Sequence, residues 1–104
     1  MTSYALSFEI QSNSTYSDRR KSLMDRVRYH HGSAGYWDET TSFVLFQSGS
    51  SLSDLAFDLY INTKINASTD ILLVFDPAQS SAIARGPIKY PGLLQARFRY
   101  CEVK

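Results

Sequence analysis

Two short runs in this chain are apolar on both faces of any strand they could form. In FVLF, residues 43–46, Phe43 and Leu45 point one way while Val44 and Phe46 point the other. In DILLVFD, residues 70–76, Ile71, Leu73 and Phe75 oppose Leu72 and Val74. A strand of this kind has to be covered on both sides. Helices of the same chain can cover one side of a sheet. The other side is expected to meet a second copy of the protein in an isologous dimer. The alternative is that residues 77–92 or the last strand fold back over it.

The rest of the pattern supplies the helices. YALSFEI, residues 4–10, reads as a strand with Leu6, Phe8 and Ile10 on one face and Ala5, Ser7 and Glu9 on the other. A helix follows from about Tyr16 to about Tyr29. Thr15 or Ser17 can cap it, and Asp18 favours the positive end of its dipole. Tyr16, Leu23, Val27 and His30 recur at helical spacing, and Gly32 and Gly35 end the unit. Residues 36–48 are extended, as one bent strand or two. Ser51 with Asp54 starts a second helix, expected from Leu52 to Ile65 with Leu52, Leu55, Ala56 and Leu59 buried. Residues 77–92 hold all three prolines and read as an irregular connection. Residues 93–103 alternate as an added strand, Leu94, Ala96, Phe98 and Tyr100 opposing Gln95, Arg97 and Arg99. The expected fold class is α+β: a ferredoxin-like βαββαβ sandwich with an additional C-terminal strand, one domain over residues 1–104.

Composition narrows the function classes. A length of 104 residues suits one domain with one modest core. A net charge of +1 commits the molecule as a whole to neither nucleic acid nor membrane. The single cysteine, Cys101, excludes an intrachain disulfide framework or a multi-cysteine zinc site, and is expected to be an inert thiol. No apolar run approaches the ~20 residues of a membrane helix. The first residues lack the basic and apolar regions of a signal peptide, so a cytoplasmic location is expected.

Three stretches together resemble the SinR-like family, which is related in fold to the small CRISPR-associated adaptation nuclease. They are YALSFEI, WDETTSFVLF with its Trp-x-x-x-x-Ser-apolar hairpin, and SLSDLAFDLYINTKINASTDILLVFD with a capped helix before Asp-x-Leu-Leu-Val. The resemblance spans about residues 4–76. It implies a ferredoxin-like homodimer. In nuclease-related members, an Asp near the end of the first strand faces its symmetry mate, binds a divalent metal and serves phosphodiester cleavage. Glu9 stands at that position here, one methylene longer.

On its own chemistry, Glu9 would meet its mate across such a dimer. Two close carboxylates then need a proton or a cation between them, which makes Glu9 a candidate ligand for Mg²⁺ or Mn²⁺ and a candidate catalytic residue. The alternative is a rim carboxylate pairing with Arg97 or Arg99. Arg19, Arg20 and Arg26 on the first helix, with Arg97 and Arg99, form two basic clusters able to contact phosphates. The alternative is a solvated helix face. His30 and His31 can carry protons in phosphodiester cleavage, or simply complement the helix dipole. Tyr36 and Trp37 can stack bases or pack into an interface. The expected function is a nucleic-acid-handling homodimer acting on RNA or DNA, as a weak metal-dependent endoribonuclease. A noncatalytic dimeric protein-interaction adaptor is the second expectation, and a small-ligand sensor at the dimer cleft the third.

Overall fold

The computed structural model describes residues 1–31 and 35–104. In chain order they form β1 (Thr2–Glu9), α1 (Tyr16–His31), β2 (Trp37–Thr40), β3 (Phe43–Ser48), α2 (Leu52–Ile61), β4 (Ile71–Asp76), β5 (Ser81–Arg85), α3 (Pro91–Gln95) and β6 (Tyr100–Val103). The strands make one mixed sheet in the order β2-β3-β1-β4-β5-β6. All neighbours are antiparallel except β5 and β6. The fold class is therefore α+β.

The alternation of β1 is carried into the structure. Tyr4, Leu6, Phe8 and Ile10 are buried in a core with Leu23, Val27, Leu55 and Leu59 of α1 and α2. Val44 and Phe46 of β3, and Leu72 and Val74 of β4, complete it. The start of α2 is held as its sequence suggests, since Ser51 Oγ accepts a hydrogen bond from the Asp54 N–H at 3.1 Å. No helix among the described residues is long and apolar enough to cross a membrane.

The second face of the sheet is ruled into rows by the register. Leu45, Ala5, Phe75 and Ala82 lie side by side, as do Phe43, Ser7, Leu73 and Ala84. The chain covers part of this face itself. The connection from β5 to β6 crosses it, with Phe98 against Phe75 at a ring separation of 5.4 Å. Ala5, Ala82 and Ala84 are almost wholly buried. The β2–β3 half stays open: Trp37 is 39% and Leu45 42% exposed.

Several boundaries differ from expectation. Residues 77–92 are not irregular throughout: Ser81–Arg85 is β5, the return arm of a hairpin from β4. Its Ala-Ile-Ala centre is too small to read as a strand beside prolines, but small residues fit beneath the crossing segment. Residues 93–103 are not one strand. Pro91 opens α3, where its fixed φ and missing N–H are no handicap, and only Tyr100–Val103 is extended. A parallel β5–β6 pair needs such a crossover. Residues 36–48 are two strands, β2 and β3. Helix α1 runs two residues further than expected, and α2 stops at Ile61 with Asn62 as its C-cap. The expected stop at Gly32 lies outside the described residues.

Candidate functional site

Glu9 ends β1 on the second face, exposed, with Ile71 beside it in register. It borders a groove of about 390 Å³ between Ser7, Ile71 and Leu73 of the sheet and Ile88, Tyr90 and Leu94 of the crossing segment. Among the described residues, no group of three or more His, Cys, Asp or Glu side chains is placed to hold a metal ion. Magnesium accepts one or two carboxylates plus waters. One exposed Glu9 per protomer supplies one carboxylate toward that requirement.

The basic helix does not present its charges together. Arg19 is buried, and its Nη1 donates to the fully buried Asp70 carboxylate at 3.0 Å. Its Nη2 donates to the Gln11 carbonyl at 2.6 Å and to Asn13 Oδ1 at 3.1 Å. Asp70 also accepts the backbone N–H groups of Gln11 and Asn66. The pair thus ties α1 to the loops at the sheet end, and its guanidinium turns no edge toward a phosphate. Arg26 makes a two-pronged pair with Asp58 of α2, both contacts at 2.7 Å. Arg20 donates to the Thr41 carbonyl and lies over the Phe8 ring, with no carboxylate within 4 Å among the described residues. Arg97 and Arg99 are exposed beside the start of β6, where the Arg99 N–H donates to Ser80 Oγ.

His30 sits in a line that sequence spacing does not reveal. Its Nδ1 is 3.2 Å from Ser48 Oγ and its Nε2 is 2.6 Å from Asp58 Oδ2. Residue types alone would suggest a nucleophilic triad. Three features oppose that chemistry. Ser48 is 1% exposed, so no substrate reaches it. Its Oγ already accepts the Ser50 N–H at 3.1 Å. Asp58 is shared with Arg26 and Asn62, so it is not a carboxylate reserved for orienting the imidazole. Arg26, then the hydrogen bonds from His30 and Asn62, hold the Asp58 carboxyl well below the usual carboxylate range against the opposing effect of burial. The line is a polar clasp between the end of α1, α2 and the end of β3. His31 packs its ring on Tyr36 at 4.8 Å.

Glu9 and the histidines are far apart. Ser48, the neighbour of His30, is level with Thr2 at the start of β1, and Glu9 is at its far end. At ~3.3 Å per residue the separation along the strand is about 23 Å. The two also lie on opposite faces of the sheet. One protomer therefore cannot bring Glu9 and His30 to the same phosphodiester. Arg97 and Arg99 share the histidines' end, and Arg20 shares that of Glu9. Cys101 is half-buried, and burial pushes its thiol up, away from a reactive thiolate.

Asp58 and Asp70, the two acids that organise these contacts, are not visible as such in the sequence. Asp70 gives one faint signal, an acid directly ahead of the most apolar strand. Asp58 gives none, because two of its three partners, His30 and Arg26, are 28 and 32 residues away. Beyond these polar clusters, and apart from Met1 and Tyr29, the large exposed apolar side chains gather in two places besides the Trp37–Leu45 corner. Phe57 and Ile61 lie on α2, and Tyr90, Leu93 and Tyr100 on the crossover and β6. Comparison with family models, curated proteins and solved structures finds no match.

Proposed function

We propose that the protein is a noncatalytic, cytoplasmic adaptor of ferredoxin-like fold, akin to the SinR-like group, that dimerises through the open half of its sheet. The order β2-β3-β1-β4, all antiparallel with α1 and α2 on one face, supports the ferredoxin-like reading. The observation that carries the adaptor reading is the disposition of charge against apolar surface. Arg19, Arg26 and His30 are engaged inside the molecule, while Trp37 and Leu45 lie open side by side. A surface of that composition suits protein contact better than phosphate contact.

One observation favours a second reading, nucleic-acid handling. Glu9 is exposed, has no cation within 4 Å among the described residues, and stands on the face through which the copies would meet. In such a dimer Glu9 and its mate would hold Mg²⁺ or Mn²⁺ with waters completing the shell. Arg20, and at the opposite end Arg97 and Arg99, would meet phosphates.

Labelled RNA and DNA, incubated with and without Mg²⁺ or Mn²⁺ beside Glu9→Gln, separate the two. The adaptor reading expects neither cleavage nor salt-sensitive binding. Metal-dependent cleavage that disappears in Glu9→Gln overturns it in favour of a nuclease.

A further inference from the structure

The sheet is wider than its helices. Six strands at ~4.8 Å spacing place the outer axes about 24 Å apart. A packed helix is ~10 Å across, so two helices cover about four strands. Helix α1 packs on β3 and α2, and α2 on β4 and β5. Among the described residues, nothing covers the helix-side face of β6. Its residues there are those level with Ile83 and one pleat to either side: Tyr100, Glu102 and Lys104, all exposed.

This vacancy has one apolar wall. Phe57 and Ile61, four residues apart on α2, are 64% and 54% exposed. They border a groove of about 370 Å³ whose other side is Arg85 and Lys104. Arg85 lies over the Tyr60 ring at 5.2 Å, and no carboxylate is within 4 Å of it among the described residues. The Tyr60 hydroxyl is used up on the Ile83 carbonyl at 3.2 Å. Lys104 pairs with Glu102 at the outer margin, at 3.1 Å. Arg85 is thus the cation of this groove that lacks a counter-charge.

We propose that this groove receives one amphipathic helix of a partner protein, lying beside α2 as a third helix of the layer. Its apolar stripe meets Phe57 and Ile61, and a carboxylate at the edge of that stripe meets Arg85. The place calls for a helix because the uncovered strand lies in the same layer as α1 and α2, directly beside α2, and a helix docked there rests on β6 with one flank against Phe57 and Ile61. The charge calls for an acidic flank. The inference rests on the adaptor reading and names its docking site, which is separate from the Trp37–Leu45 corner.

The test uses two fluorescein-labelled amphipathic peptides of about 16 residues, long enough to span the groove as a helix. They share one leucine stripe and differ only in having Glu or Lys along its edges. Fluorescence anisotropy on the full chain should show preferential binding of the Glu peptide. Phe57→Asp and Arg85→Glu should each weaken it by about tenfold or more, the scale of a buried anchor or a desolvated charge partner. Arg85→Glu should reverse the preference toward the Lys peptide. Phe57 is mostly exposed, so Phe57→Asp leaves the core alone, and circular dichroism checks that it does. Equal binding of the two peptides, no binding of either, or indifference to Phe57→Asp overturns the site. So does a fall in sedimenting mass on Phe57→Asp, which would make the patch a contact between copies. Binding lost in Leu45→Asp and intact in Phe57→Asp sinks this groove while leaving the adaptor reading standing on the other face.

Discussion

Asp70 shows how much of this fold one side chain can hold. It is fully buried, yet it gathers Arg19 and two backbone N–H groups around its carboxylate. A buried ion pair is weak support for stability as a pair, but removing one member strands the other. Asp70→Asn leaves the Arg19 guanidinium buried without its counter-charge and should cost about 3–5 kcal/mol in urea denaturation. Arg19→Met strands the buried Asp70 carboxylate in the same way and should cost a comparable amount. Asp58 makes a different prediction. Its carboxyl is held below the ordinary range by Arg26 first, then His30 and Asn62, so the unfolded chain takes up that proton before the folded one does. The stabilisation is complete above the ordinary Asp value near pH 4 and is lost as pH falls below it toward the depressed folded value. Urea midpoints measured from pH 6 downward should therefore drop more steeply in the wild type than in Asp58→Asn, whose curve starts lower and runs flatter.

At the scale of elements, the β5–α3–β6 unit decides what the second face can do. Gly86 closes β5 at a φ of +116°, and a Cβ there would run into the backbone carbonyl of Asp70. Gly86→Ala should lower stability by at least about 1–3 kcal/mol from the backbone conformation alone, with the loss read as a reduced thermal midpoint. Faster hydrogen exchange at the β6 amides should accompany it, because β6 is a four-residue edge strand hung on β5. This unit was also the least legible in the sequence. β1 announces itself by apolar alternation, β3 and β4 by unbroken apolar runs, and α2 by Ser51 and its buried stripe. Residues 81–85 offer only Ala, Ile and Ala between prolines. Residues 94–100 alternate as a strand would, but Pro91 starts a helix there and the parallel pairing of β6 requires a crossing segment. The candidate site was less legible still. The spacing of Arg19 fits a solvated stripe as well as a buried one, and its inward course depends on an acid 51 residues away. Glu9 lies on the second face, as the alternation of β1 implies, because alternation along one strand is local information.

For the molecule as a whole, the two faces of the sheet are closed to different degrees. Helices α1 and α2 close most of one face, and the crossing segment closes half of the other. What remains is the corner where Leu45 stands level with Trp37 on one side and Ala5 on the other. Two copies related by a twofold axis could bury that corner symmetrically. The wild type should then sediment as a dimer at micromolar concentration. Its thermal midpoint should rise with protein concentration, because association stabilises only the folded chain. Leu45→Asp should abolish both behaviours. Leu45 is 42% exposed in the protomer, so a carboxylate there stays hydrated in the monomer and becomes costly only when a second copy buries it. A folded monomer with a concentration-independent midpoint is the expected variant. If the wild type already behaves that way, no second copy covers the sheet, Glu9 has no mate, and the apolar corner is left for a different protein.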